Sequence, residues 1–289
     1  MKRILKLMTV FFMLAFAASL HADTEPIEVG IFVGKHNKTH ADNVTRVMKD
    51  SPGIKLEPFY DIADISKYRT VIFWNLIDVG EQPEDWAEQM VKYCGAGGGL
   101  ILISRIGNRL GKSSLGPNRF NGFALRSVVC EQGWPRGKEL NVEIIEPEHP
   151  VVKGIKSPYL LKHGGVLPTL AVGPQGKTLA VYQDKKSAIV VGDFGRGKVV
   201  AINAIYPLRH SWKKGWQCPE AERAFIKKFL VNSIKWTSTP AGKGIEISAV
   251  DKKLMEKVNA IIAKSEAATK ANEEAIKKYL GTVKNNIGK

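Results

Sequence analysis

The sequence predicts an α/β fold: a mostly parallel sheet covered by helices on both faces, then a β-rich second half that ends in a hairpin and a helix. Three observations predict it. Apolar runs of strand length alternate with segments of helical periodicity near the start, the pattern of a sheet built from crossover units. A run of glycines stands after one such helix and before an apolar strand, in "CGAGGGLILIS" (Cys94–Ser104). Three more strand-like segments succeed one another between Lys177 and Ala204, the last two joined by "GRG".

The chain opens with "MKRILKLMTVFFMLAFAASLHADTEP". Lys2, Arg3 and Lys6 precede an apolar run from Met8 to Ala18, small residues come next, and Ala22 suits the last position before cleavage. This is the pattern of a secretory signal peptide. A membrane anchor is the weaker alternative, because a span needs about 20 apolar residues and no cysteine for lipid attachment stands after the cleavage point. No later segment is apolar enough to cross a bilayer. The expectation is an exported protein, periplasmic or extracellular, with no membrane association after signal removal.

Each element has its own justification. "IEVGIFVG" reads as a buried strand, and "THADNVTRVMKD" as a helix with Val44, Val47 and Met48 on one face. "IKLEPFY" and "YRTVIFWNL" are strands, the second apolar throughout as central parallel strands are. "QPEDWAEQMVKYCGAGGG" is a helix: Pro83 suits its first turn, Glu84 and Asp85 favour its positive end, and Gly95 can close it. "LILIS" is a fourth strand. "ELNVEIIEPEHPVVKGI" reads as a strand and a turn, and "KTLAVYQ", "SAIVVGDF" and "GKVVAINA" as strands. "PEAERAFIKKFLVNSIKWTS" is an amphipathic helix with Ala224, Phe225, Phe229, Ile234 and Trp236 near its period. The expected organisation is a signal peptide over 1–22, one domain over 23–240, a linker over 241–249 and a Lys-rich helical segment over 250–289. That last segment holds nine lysines and five acidic residues. It reads as a helix that packs back or frays, or else docks on a protein partner; its alanine-heavy stripe is weak for a coiled coil.

Composition narrows the function. The chain has 289 residues, 44% hydrophobic and 25% charged, an ordinary globular balance. Its formal charge is +15, and removing residues 1–22 takes away three basic residues to leave +12. The lysines are spread out, with no basic run interleaved with stacking aromatics, so a solvated basic surface is expected rather than nucleic-acid binding. Cys94, Cys130 and Cys218 allow at most one disulfide and are too scattered for a zinc site; buried free thiols are the expectation. No cofactor and no metal are expected.

Four motifs invite a chemical reading. The glycines Gly95–Gly99 lie after a helix and before a strand, the wrong order for a dinucleotide cradle, and read as a helix terminator and turn. "AVGPQGKT" (Ala171–Thr178) nearly matches a phosphate-binding loop, but the next residues, "LAVYQ", have strand character, so it reads as a β-turn. Ser104 ends a strand where chemistry gathers in open α/β sheets, yet it lacks the small neighbours of a nucleophile elbow. In "NAIYPLRHSWKKGW", His210, Trp212 and Trp216 come after another strand, while His36 and His40 come after the first. His210 could act as a base or donor, and a tryptophan could stack on a sugar; equally, the tryptophans could close the rim of the core and His210 cap a turn. His149, before Pro150, reads as a turn residue. "NKT" and "NVT" match glycosylation sequons, a pattern common by chance.

Five segments in order resemble the trehalose-utilisation ThuA-like family, within the class I glutamine-amidotransferase-like superfamily. They are "TVIFWN", "PEDWAEQMVKYCGAGGGLILIS", "EHPVVKGI", "VVGDFGRGKVVAIN" and "RHSWKKGWQCPEAERAFIKKFLVNSIKW", together spanning roughly residues 27–237. The resemblance implies a flavodoxin-like sheet with a pocket above its carboxyl edge. Amidotransferases place a cysteine at the end of the central strand, with a histidine and an acid later. Here Ser104 or Arg105 holds that place, many ThuA-like proteins carry histidine there, and "HSW" after the matching His210 lacks the acid. Classical glutamine hydrolysis is therefore not expected, and Arg105 suits a carboxylate or another anion.

The function expected is binding of a small-molecule ligand, a sugar or polar anion, by Asn75, Ser104, Arg105, His210 and Trp212. The alternative is a carbohydrate-directed hydrolase or isomerase in which His210 is the general base and Ser104 or a water the nucleophile. A third reading is an interaction scaffold acting through 250–289.

Overall fold

The computed structural model describes residues 25–33, 38–74, 86–103, 138–164, 176–203 and 220–239, together with Glu256, Ala260 and Glu274. The strands are β1 (Ile27–Phe32), β2 (Ile54–Phe59), β3 (Thr70–Trp74), β4 (Gly99–Ile103), β5 (Lys138–Ile144), β6 (Tyr159–Gly164), β7 (Gly176–Tyr182), β8 (Ser187–Phe194) and β9 (Gly197–Ile202). The helices are α1 (Lys38–Met48), α2 (Trp86–Gly95) and α3 (Glu220–Thr237), with a 3₁₀ helix over Ile62–Lys67.

All nine strands form one sheet in the order β2-β1-β3-β4-β9-β8-β7-β5-β6. The first five in that order are parallel. The remaining four pairings are antiparallel. The expectation of a mostly parallel sheet is thus corrected: among the described strands the sheet is mixed, half of its pairings antiparallel. The cause is the hairpin-connected second half, which joins the same sheet beside β9 instead of forming a layer of its own.

The burial pattern matches the strand period. Val29, Ile31, Ile72, Ile101, Ile103, Val200 and Ile202 belong to a core cluster with Ala41, Val44, Val47 and Met48 of α1 and Ile226, Phe229, Leu230 and Ile234 of α3. Alternate residues face the other way, where Met90, Tyr93 and Cys94 of α2 are buried with Phe73 and Leu100. Helices therefore cover both faces, as right-handed crossovers require. In α3 the expected stripe needs revision. Ala224 is exposed, and the buried face is Ile226, Phe229, Leu230, Ser233, Ile234 and Thr237, a continuous i, i+3, i+4 series. Phe225 is half-buried and stacks on Tyr159, ring centroids 3.6 Å apart. β6 and the 3₁₀ helix had no signal in the apolar pattern. Glu256, Ala260 and Glu274 are helical and exposed.

Tyr182 closes β7 fully buried, and its hydroxyl meets no hydrogen-bonding partner among the described residues. Burial pushes this phenol well above its ordinary pKa. An orphaned polar atom in a core is costly, so Tyr182→Phe is expected to raise the unfolding free energy by about 1 kcal/mol in urea titration. A loss of stability instead would mean the hydroxyl has a partner.

Candidate functional site

Parallel register decides which strand ends meet. Phe32 pairs with Phe73, Trp74 with Ile103, and Ile103 with Ile202. The carboxyl ends of β1, β3, β4 and β9 therefore finish level at one edge. β7 runs in the same direction as these strands, so the turn after Tyr182, carrying Asp184, Lys185 and Lys186, shares that edge. The next chain positions after Trp74, Ile103 and Ile202 are Asn75, Ser104 and Asn203. Asn75, Ser104, Arg105, His210 and Trp212, with His36 and Trp216, lie outside the described residues; His40 lies in the first turn of α1.

One residue at this edge escaped the sequence reading. Asn203 is 1% exposed, and its backbone N–H donates to the Ala188 carbonyl at 3.1 Å, continuing the pairing with β8. The signal was present: "VVAIN" ends in asparagine as "TVIFWN" does.

The opposite, amino edge interlocks parts of the segments that carry the family resemblance. Asn232 in "NSIKW" donates its amide to the carbonyls of Val151 and Lys153, 3.3 and 3.1 Å away, tying α3 to the "EHPVVKGI" turn. Trp236 meets the His149 ring edge-on at 5.2 Å, and Lys198 of "FGRGK" sits over the same indole at 5.1 Å. Thr70 shares hydrogen bonds with Thr237 and Ser238 at 3.0 and 2.7 Å, and Arg69 Nε donates to the Ser238 carbonyl. These residues therefore hold elements together; they do not face the strand ends where a ligand would be sought.

The glycine run belongs to this edge too. Gly97, at φ +113°, takes the left-handed position after α2. Its N–H donates to Cys94 O and that of Gly98 to Tyr93 O, closing the helix in a Schellman pattern. Gly97, not Gly95, is the terminator. The Arg196 N–H at the tip of the β8–β9 hairpin donates to Gly95 O at 3.2 Å. The run is a packed turn between the end of α2 and the start of β4. Cys94 beside it is buried with a free thiol, and burial raises its pKa far out of the reactive range; Cys130 and Cys218 lie outside the described residues.

Two other motifs resolve structurally. Gly176–Thr178 of "AVGPQGKT" are already in β7, and Lys177 pairs with Glu146 at 2.8 Å, so no helix presents this lysine to a phosphate. Asn43 of "NVT" is 4% exposed on α1, which excludes it as a glycan acceptor in the folded chain. Among the described residues no group of three His, Cys, Asp or Glu side chains could hold a metal. Among them, too, no helix is long and apolar enough to cross a membrane.

His149 is a titratable group packed within the amino edge. Its Nδ1 accepts from the Val151 N–H at 3.3 Å, which requires the neutral ring. Burial, then Lys177 and, less strongly, Lys198, lowers its pKa, while Glu146 and Asp193 oppose the shift without overcoming it. The folded state thus holds the proton less tightly than the unfolded chain, whose histidine titrates near ~6.5. Its stabilising contribution is complete above that value and lost as pH falls below it. His149→Asn is expected to flatten the decline in melting temperature between about pH 7 and 5; an unchanged slope would refute this.

No protein-family profile and no curated protein matches the chain. Solved structures do. A protein described as ThuA-like from Parabacteroides merdae aligns over 79% of this chain and 100% of its own, at 15% identity and a TM-score of 0.52. The fold is that of the ThuA-like proteins. A second protein so described, from Bacteroides uniformis, aligns over 75% of this chain and 94% of its own, at 13% identity and a TM-score of 0.50. Part of a β-galactosidase from Rahnella sp. R3 is also similar in fold to this chain; the match covers 73% of this chain and 31% of the galactosidase, at 15% identity and a TM-score of 0.53. At these identities the likeness speaks for architecture alone.

Proposed function

We propose that this chain is an exported ThuA-like domain of the class I glutamine-amidotransferase-like superfamily. It binds a sugar or small polar anion at the carboxyl edge of its sheet and lacks classical glutamine amidotransferase chemistry. The observation that supports it is the level finish of β1, β3, β4 and β9, whose next residues bear the polar candidates. The parallel order β2-β1-β3-β4-β9 is that of flavodoxin-like sheets, which bind ligands beyond their strands' carboxyl ends. In this reading Asn75 donates an amide hydrogen bond, Arg105 balances a carboxylate, His210 supplies a polar donor and Trp212 stacks on the ligand's apolar face. With serine and arginine where an amidotransferase needs its cysteine, glutamine hydrolysis has no nucleophile of the usual kind.

The test is a melting-temperature screen with galactose, glucose, gluconate, glucuronate and inorganic phosphate. A ligand at a hundredfold excess over its dissociation constant stabilises by about 2.7 kcal/mol. Arg105→Ala is expected to abolish the response to the acids. If no compound moves the transition and Arg105→Ala is silent, the reading fails.

A further inference from the structure

We infer that His149 is an acid-sensitive hold on the end of α3: on gaining a proton it loosens the turn over 146–155 from the helix while the parallel sheet stays folded. It acts at the amino edge, whatever the carboxyl edge binds.

The turn is built around this residue. Its N–H donates to the Glu146 carbonyl at 3.0 Å, its own carbonyl accepts from the Val152 N–H at 3.0 Å, and its Nδ1 accepts from the Val151 N–H at 3.3 Å. Val151 is fully buried, so its N–H cannot turn to water for a replacement. The carbonyl of the same residue takes the Asn232 amide of α3, which also reaches the Lys153 carbonyl. One side of Val151 is thus held by the imidazole and the other by the helix. Protonation turns the accepting nitrogen into a donor, and two donors then face each other. Val151 and Val152 also lie in the core cluster with Ile226, Phe229, Leu230 and Ile234. Losing the imidazole contact therefore shifts a local opening equilibrium rather than detaching the turn.

Charge acts in the same direction. Lys177 of β7 and Lys198 of β9 act on the ring, as do Glu146 of the turn and Asp193 of β8. Both acids are already matched. Glu146 pairs with Lys177 at 2.8 Å, and Asp193 stands opposite Lys198 in the hairpin register. Glu148, the chain neighbour, is exposed and pairs with Lys153 at 3.5 Å. The surroundings balance while the ring is neutral, and a proton on it adds a cation with no anion of its own. From α3, the Trp236 ring meets the imidazole at 5.2 Å. An indole face attracts a cation, but Lys198 Nζ holds that place, 5.1 Å from the ring centre.

The experiment is amide hydrogen exchange of the purified chain, read by mass spectrometry at about pH 7.5 and 5, on either side of the ordinary histidine value. Protection is expressed relative to the unstructured rate at each pH. In wild type, protection over 147–155 is expected to fall about fivefold at the lower pH, while β1, β3 and β4 keep theirs. His149→Asn offers an oxygen to the N–H two residues on and takes up no proton; its protection is expected to stay level. His149→Lys carries the charge at both values and is expected to be poorly protected in this turn at both. If the lysine variant does not fold, wild type against His149→Asn decides. No fall in wild type overturns the inference, and so does the same fall in His149→Asn. A fall shared by β1, β3 and β4 also overturns it, because the whole domain is then loosening.

Discussion

Gly197→Ala is expected to destabilise the protein by about 3 kcal/mol, the range of a core overpacking that cannot relax. Gly197 is the second glycine of "FGRGK" and opens β9. A methyl group there would collide with the Cys94 and Gly98 carbonyl oxygens and lie 2.9 Å from Cys94 Sγ. Two of these obstacles are backbone atoms, fixed by the closing hydrogen bonds of α2, so no rotamer change makes room. Gly53→Ala is the control. Gly53 has φ +71°, and among the described residues other than its chain neighbours no atom lies within 4 Å of an added methyl, so its backbone strain dominates, worth about 1 kcal/mol. Urea unfolding of both variants separates crowding from conformational cost. A Gly197→Ala protein as stable as the Gly53→Ala one would mean that the hairpin does not press on the helix end.

Phe229→Ala is expected to cost about 4 kcal/mol, a fall of roughly 10 °C in melting temperature for a domain of this size. Phe229 is fully buried in α3, inside the cluster that joins α1, α3 and one face of the sheet. Its removal leaves a cavity in a layer that the hydrogen-bonded sheet cannot collapse to fill. Ala224→Glu on the same helix is expected to stay within about 0.5 kcal/mol of wild type, because Ala224 is exposed. If Ala224→Glu were the damaging change, the helix would be rotated from the orientation described.

That helix shows how reading by side-chain type goes astray. Aromatic residues drew attention to Phe225 and Trp236, while Ile226 and Leu230 made the buried row. Phe225 covers Tyr159 on an outer strand, and Trp236 serves His149 and Lys198 at the amino edge. Period alone marks a stripe; which residues centre it depends on where the sheet lies. β6 was missed for a related reason. "YLLKHG" has little strand pattern of its own and becomes a strand by pairing with β5. The mixed sheet was equally illegible, since β5 is inserted between β7 and β6, against sequence order.

The segments behind the family resemblance proved more informative about packing than about chemistry. "EHPVVKGI", "FGRGK" and "NSIKW" meet at the amino edge through Asn232, Trp236, His149 and Lys198. In this structure each completes the others' contacts. Of the candidate ligand residues, Asn75 and Ser104 are the next chain positions after the opposite, carboxyl ends of β3 and β4.

Local chemistry, then, was enough to place most of the strands and helices, to fix the order of glycine turn and strand, and to rule out a phosphate cradle at Gly95–Gly99. These come from short-range sterics and from the periods of buried side chains, which a linear chain displays directly. Only the folded structure could set the Ile103–Ile202 register, seat the hairpin against the end of α2, and bury the Asn203 amide at the centre of the carboxyl edge. Those are contacts between residues distant along the chain, and their choice depends on the packing of the whole sheet rather than on any stretch of it.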